Sequence, residues 1–521
     1  MNAPVPQTQD ALPEPEPRQP TSLGRHYLRY LSASVLSVVA GFISYPIMTR
    51  LLPRSEIGLI TLFGPFALIW TAVLKMGTQN SIQRFYPIHC LGQTTLEKRR
   101  SYYASLVQMP ALISAVLCAL AIGATMLVGA FIPIPNARYL YIVLLLGEFG
   151  VLFSLIDNII RAREHSALSS RLSVMMRYLQ LVFFVVVVAA ISPTAMGVYL
   201  AKLACAFVFL LIAGAWAVRH CDFDLRSFSP RIFRESLGYG LPLVLSEISF
   251  ILLAFADRMM FAMPRYRISL DQVGVFGIGY DLAMYIGDFL AYSLIPAFLP
   301  VANRVYETEG QAAALALQRQ LLHILYYVAA AITVGLIFVG PDLLIVCAHP
   351  KNAPSAPIFQ WIGINYVFYP IFIVMAYGLN LKKRTKVISA VVLASAAVNI
   401  ALNCWLLPRL GIMGAVYATL ASYLLMGVLQ MVFCPKGCLP TPRAGDLARP
   451  LGLAALMTAV AALGLGLGGW SGLVGSHNHF VRLALMAAIF AVTFVAPALA
   501  LDGELRRKLG AKLGFLRAWM T

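Results

Sequence analysis

The chain holds 521 residues, 60% of them hydrophobic and 12% charged, with a mean hydropathy of +0.78. Soluble globular chains carry about 25% charged residues, so a soluble enzyme or a string of ordinary globular domains is excluded, and at about 20 residues per span the length allows well over ten membrane helices. The net charge of +18, from 40 Lys and Arg against 22 Asp and Glu, reads either as a surface for nucleic acid or acidic lipid or as the basic inner loops of a polytopic membrane protein.

Residues 1–22 read as a disordered tail, since the first twenty are polar and include Pro4, Pro6, Pro13, Pro15, Pro17 and Pro20. The first apolar run is too long for a signal-peptide core. Fourteen such runs follow, near 27–49, 57–80, 103–132, 138–160, 172–191, 195–218, 237–261, 273–300, 320–347, 357–380, 387–407, 411–433, 450–470 and 481–501. Only Ser192-Pro193-Thr194 separates runs five and six. Pro46, Pro65, Pro242 and Pro296 fall within runs and are candidate kinks. The eight cysteines are scattered, so no disulfide framework emerges, and Cys434 and Cys438 lack neighbours for a zinc site. No P-loop is present.

With the N-terminus placed in the cytoplasm, 29 basic residues fall in the tails and inner loops and 8 on the other side. Lys75, Lys202 and Arg258 lie inside runs. This bias puts both termini inside, supports an even number of spans, and accounts for the surplus charge without nucleic acid. No outer loop is long enough for a folded domain.

The chain also repeats itself. Ser55-Glu56-Ile57-Gly58-Leu59 opens helix 2 and Asp271-Gln272-Val273-Gly274-Val275 opens helix 8, an offset of 216. Gly197-Val198-Tyr199 and Gly414-Ala415-Val416-Tyr417 open helices 6 and 12, an offset of 217. Helices 4 and 10 both end in basic clusters, Arg161 with Arg163 and Lys382-Lys383-Arg384. The unit is six helices, and an even unit relates its halves by an axis along the membrane normal, as in transporters with a site between the halves. The expected organisation is an N-lobe at 23–236, a C-lobe at 237–435, and helices 13 and 14 with a basic cytoplasmic tail at 436–521. The glycine-rich run from Gly464 to Gly469 suggests close packing of helix 13.

Several stretches carry a family likeness. They are Ile47-Met48-Thr49-Arg50-Leu51-Leu52-Pro53-Arg54-Ser55-Glu56-Ile57-Gly58-Leu59, then Phe255-Ala256-Asp257-Arg258 followed by Val273-Gly274-Val275-Phe276 and Tyr280, and Gly411-Ile412-Met413-Gly414-Ala415. Together they resemble the polysaccharide-transporter flippases, the Wzx-type branch of the multidrug/oligosaccharidyl-lipid/polysaccharide (MOP) superfamily. The resemblance implies an all-α, MOP/MATE-like polytopic fold of about fourteen transmembrane helices, two six-helix lobes and two extra helices. It implies a flippase rather than an enzyme, moving an oligosaccharide on undecaprenyl pyrophosphate across the bacterial inner membrane for O-antigen or exopolysaccharide synthesis. Partners would be that glycan, membrane lipids, and polymerase or chain-length machinery. It also implies a cavity lined by helices 1, 2, 7 and 8, with Asp257 and Arg258 matched most directly. The alternatives are a cation-coupled drug exporter of the same superfamily and a membrane glycan polymerase or ligase.

The pattern itself nominates further residues. Lys75, Glu148, Asp157, Lys202, Glu247, Asp257, Arg258, Asp281 and Asp288 sit within runs, six acidic against three basic. Each costs about 2.5–3.5 kcal/mol if central and lipid-facing, so each should face a cavity or a partner. On helix 8, Asp281, Tyr285, Asp288 and Tyr292 form one stripe, suited to sugar hydroxyls and ring faces or else a structural seam. Glu247 and Arg258 are about 16 Å apart along helix 7; Arg258 would pair with Asp281 or remain free for pyrophosphate. Lys75 and Arg84, near Gln79, Asn80 and Gln83, are candidates to receive a diphosphate. Asp157 is expected to pair with Arg161, Lys202 to snorkel at the outer end, Asn399 and Asn403 to join helices, and His477 and His479 to be solvated in an outer loop. No cofactor is expected, although Glu247, Asp281 or Asp288 could carry a proton or bind Na⁺.

Overall fold

The computed structural model describes residues 23–90, 94–132, 136–163, 165–466, 479–503 and 506. Residues 1–22, His477, the second half of the glycine-rich run and most of the basic C-terminal tail fall outside these residues. Hydrocarbon offers no hydrogen bonds to a backbone, so a spanning chain must satisfy its own. The apolar runs accordingly become helices, and no strand occurs among the described residues.

Following α1 (Leu23–Leu51), thirteen helices are long and apolar enough to cross a membrane. They are α2 (Arg54–Cys90), α3 (Leu96–Phe131), α4 (Ala137–Ala162), α5 (Ser166–Ala190), α6 (Ala195–His220), α7 (Pro230–Phe261), α8 (Leu270–Glu309), α9 (Gln311–Ala348), α10 (Pro350–Leu381), α11 (Thr385–Leu410), α12 (Ile412–Val432), α13 (Ala444–Gly466) and α14. The last begins as His479–Phe490, widens to a π turn at Ala491–Val495 and ends as Ala496–Leu501. The face where α1 begins is called proximal below, and the opposite face distal.

Each predicted run is recovered, but several helices outlast their apolar stretch. α7 starts at Pro230, α8 runs 40 residues to Glu309, and only Gly310 separates it from α9. A helix of that length is about 60 Å, twice the hydrocarbon thickness, so its ends stand in water. Pro46, Pro65 and Pro242 lie inside helices without interrupting them. The break in α2 falls instead at Met76 and Gly77, with φ of 50° and 74°. A Cβ on Gly77 would lie 2.2 Å from the Gly240 carbonyl oxygen, so α2 turns where it touches the backbone of α7.

The sequence repeat reappears in the packing. In the N-lobe α1 packs on α5, α5 on α6, α6 on α4, and α4 on α2 and α3. In the C-lobe α7 packs on α11, α11 on α12, α12 on α10, and α10 on α8 and α9. The equivalent glycines play equivalent parts. A Cβ on Gly58 would sit 2.1 Å from the Leu270 carbonyl oxygen, and one on Gly274 2.0 Å from that of Arg54. The two meet across the pseudo-axis and let α2 and α8 cross backbone to backbone at the distal face. Gly197 and Gly414 each press on the end of the preceding helix, at Ser192 and Leu406.

The distal crossing is reinforced between lobes. Lys351 Nζ donates to the carbonyls of Arg50 and Leu52 at 3.1 and 3.2 Å, and the buried Asn352 donates to those of Thr49 and Ala348. α13 and α14 pack on α9. Asp342 of α9 holds His479 at 2.7 Å and Arg482 at 3.3 Å. At the other end of α9, His323 lies 3.1 Å from Asp446 and 2.9 Å from Asp502, which also meets Arg449 and the Tyr327 hydroxyl. His479 is thus an ion-pair partner and not a solvated loop residue. Asn399 and Asn403 are buried, but Asn403 donates to Asn399 within α11 and does not bridge to another helix.

Gly274→Val should force α2 and α8 apart, because overpacking costs about 1–3 kcal/mol. Gly64→Val adds its methyls where nothing lies within 4 Å and should be near neutral. Thermal unfolding of the purified full-length protein checks this; equal losses in the two variants would refute the backbone-contact account.

Candidate functional site

α1 rests on α8 and α7 rests on α2, while α1 and α7 share no extended contact among the described residues. The four helices therefore border one seam between the lobes. The charges along it come from helices of both halves.

Near the proximal side, Lys75 ends the first segment of α2, and its Nζ lies 2.6 Å from Glu247 Oε1 on α7. Gln79, beyond the break, donates to the other oxygen of Glu247 at 3.3 Å. Lys75 is therefore already committed to a carboxylate, and the Arg84 guanidinium lies 4.3 Å over the ring of Tyr239. The two cations expected to receive a diphosphate each have a protein partner instead.

Nearer the distal side, Arg258 NH2 lies 3.1 Å from Asp281 Oδ1, one of the two pairings the spacing allowed. Its guanidinium is sandwiched between Phe255 and Tyr280, 4.8 and 4.5 Å away. Tyr280 donates to the Ala254 carbonyl at 3.0 Å and accepts from the Tyr366 hydroxyl at 3.2 Å. Arg258 is 6% exposed, whereas the Asp281 side chain keeps 32% of its surface. The arginine is locked in place and presents its carboxylate to the seam.

Other expectations change. Asp257 is 1% exposed, accepts from the Arg258 backbone N–H at 2.7 Å and lies against Thr419 of α12. It belongs to the interior of the C-lobe, about 100° around the helix from Arg258. Tyr285 fills the space over Gly41 and packs its ring 5.6 and 6.0 Å from Phe42 and Tyr45. It packs α1 against α8 and stays partly exposed. The side chain of Tyr292 lies outside the described residues. Asp288 is half-buried with no hydrogen bond or ion pair among the described residues. Glu148 accepts from Ser114 at 3.0 Å, and Asp157 takes Arg161 at 2.7 Å and Ser169 at 2.8 Å; both are turned into the N-lobe.

Lys202 of α6 has its Nζ 5.4 Å from the ring of Tyr199, about one turn nearer the distal end of the helix. Arg177 of α5, placed with the inner loops by the charge count, lies inside the apolar run at 172–191 and is exposed. His323 and Asp342 lie inside the run at 320–347. The seam thus carries Lys75 paired with Glu247 and Arg258 paired with Asp281, with Asp288 on the same helix as Asp281.

Two six-helix lobes in parallel repeat, two further helices and a charged seam between the lobes define a polytopic membrane protein with the architecture of the MOP transporters. The family described as polysaccharide biosynthesis protein matches residues 23–305, and the chain belongs to it. An uncharacterised membrane protein of Methanocaldococcus jannaschii is 23% identical over 212 residues, 40% of this chain and 41% of that protein, so the chain spans about two fifths of that relative's length. A lipid II flippase, MurJ, in an inward closed conformation superposes with a TM-score of 0.67 at 15% identity, covering 92% of this chain and 99% of that one. An inward-facing MATE-family multidrug transporter of the MOP superfamily gives 0.60 at 14% identity, over 78% and 97%. At these identities the likeness establishes the fold.

Lys75 and Glu247 join the lobes, so their single removals should not add. Lys75→Gln and Glu247→Gln each leave a charge unpaired, while the double variant leaves none. Residues in direct contact couple by about 0.5–3 kcal/mol, and the partial exposure of the pair places this one toward the lower end. A thermal double-mutant cycle measures the coupling, and strict additivity would show that the contact holds nothing together.

Proposed function

We propose that the protein is a flippase that moves an oligosaccharide carried on undecaprenyl pyrophosphate across the inner membrane of a bacterium, for assembly of a surface polysaccharide. The proximal face is then cytoplasmic, in keeping with the 29 basic residues assigned to that side. The observation that carries this reading is the charge of the seam. Lys75 and Arg258 offset Glu247 and Asp281 along the seam, with the remaining spanning carboxylates of the N-lobe turned inward to Ser114, Arg161 and Ser169. A carrier with a diphosphate has to leave water, and cations and hydrogen-bond donors are what compensate that transfer. A drug exporter for hydrophobic cations would favour an acidic path, and this balance weighs against it.

Alternating access follows from the same parts. The lobes are held at the distal face by the α2–α8 crossing and by Lys351 and Asn352. Release of those contacts exposes the seam to the distal side, while the Lys75–Glu247 pair holds α2 and α7 together nearer the proximal face. Glu247, Asp281 and Asp288 are the groups available for coupling to H⁺ or Na⁺. Polymerase or chain-length machinery would act on the delivered glycan.

Depletion of the protein should trap the lipid-linked glycan in the cytoplasmic leaflet and remove most surface polysaccharide. The leaflet distribution of the labelled lipid-linked species, followed after depletion, checks this. Arrival of the glycan at the outer leaflet at the normal rate would refute the proposal.

A further inference from the structure

α1 and α9 belong to opposite lobes, and both end at the distal face. The last four carbonyls of a helix have no partner within it, and their partial negative charge attracts cations. Here each helix end is satisfied from the other lobe. The guanidinium of Arg50, in the last turn of α1, donates to the Val346 carbonyl in the last turn of α9 at 3.2 Å. In return Lys351, just past the end of α9, donates to the carbonyls of Arg50 and Leu52 at 3.1 and 3.2 Å. Asn352 stands between the two ends, fully buried. Its amide nitrogen donates to the carbonyls of Thr49 at 3.3 Å and Ala348 at 2.6 Å, and its oxygen accepts from Arg54 at 3.4 Å.

The chain bends to make this exchange. His349 has a φ of 74°, in the left-handed region, and its ring accepts from the Lys351 backbone N–H at 3.3 Å. A conformation of that kind persists only where the surroundings fix it. A cap confined to one lobe behaves differently. Arg409, near the end of α11, donates to the Trp405 carbonyl of its own helix at 2.7 Å and moves with it. The bonds of Arg50 and Lys351 cannot survive a separation of the lobes. Both side chains are exposed, so water can take over each bond as the lobes part. A buried ion pair at this place would instead strand two charges.

We infer that Arg50 and Lys351 are the latch of the distal gate, a reciprocal pair of helix caps that keeps the molecule closed on that side and opens the seam there when it lets go. The inference rests on the alternating access of the reading above and not on its substrate. Arg50 and Lys351 are positioning residues: they set the balance between two arrangements of the lobes.

Electron-spin distance measurements on the full-length protein in nanodiscs, with no substrate added, provide the test. Spin labels on unnatural amino acids replace the exposed Ile191 and Leu410 to read the lobe separation at the distal face, and the exposed Val218 and Val432 to read it at the proximal face. Lys351→Met and Arg50→Met should each raise the ratio of distal-open to distal-closed molecules about tenfold, the scale of one charged hydrogen bond. Lys351→Arg, which keeps the charge, should raise it less, and Arg409→Met should leave it unchanged. Lys351→Gln stands in for a methionine variant that does not fold, with a smaller rise. The longer distal distance should come with a shorter proximal one, because the two gates alternate. Unchanged distances in the Lys351 and Arg50 variants overturn the latch. A longer distal distance with an unmoved proximal one overturns it as well, since that marks a clamp fraying locally. Neither distance requires a glycan, so failure of the latch leaves the leaflet assay standing on its own.

Discussion

A charge inside the hydrocarbon of a membrane has no water to turn to, so it is tolerated only where the protein supplies an opposite charge, a ring face or a wet seam. That requirement organises this molecule. Glu148 and Asp157 are absorbed inside the N-lobe, Asp257 inside the C-lobe, and Asp342 with His323 between α9 and the last two helices. What is left over lies between the lobes at three depths. Arg258 and Asp281 are nearest the distal face, Asp288 lies in the middle, and Lys75 and Glu247 are nearest the proximal face.

The lobes can share those charges only because their backbones come close at a few points. The absence of a side chain at Gly58 and Gly274 brings the starts of α2 and α8 into van der Waals contact, and Gly77 with Gly240 does the same for α2 and α7. Contacts of this kind are small in area and involve no side chain that must be desolvated. They hold two rigid bodies in register and leave the surrounding polar pairs free to exchange partners.

Much of this was legible in the sequence. Fourteen apolar runs became fourteen helices because hydrophobic length is nearly the only requirement for a span. The offset between Gly58 and Gly274 pointed to the repeat, and the two residues turn out to touch. The 23-residue separation of Arg258 and Asp281 fits two consecutive helices, and they pair. What was not legible depends on how helices rotate and dock. The partners Lys75 and Glu247 lie 172 residues apart in different lobes. The contact of Tyr285 with Gly41 of α1 depends on a helix 244 residues away and has no trace in its own stripe. The break at Met76 and Gly77 was hidden in an apolar run, since a left-handed pair leaves no hydrophobic signature.

The attachment of α14 to α9 bears on how the molecule is made. Helices enter the bilayer in chain order, and α9 arrives carrying Asp342, whose partners His479 and Arg482 belong to the last helix, and His323, which meets Asp446 of α13 and Asp502 just past the last helix. Until that helix is released from the insertion machinery, the C-lobe holds an acid near one end of α9 without its counterparts and an imidazole near the other with only one of two. Completion of the C-lobe is thereby tied to completion of translation. A chain interrupted before α14 carries polar groups exposed at membrane depth, the feature by which a membrane quality-control protease can tell an unfinished product from a finished one.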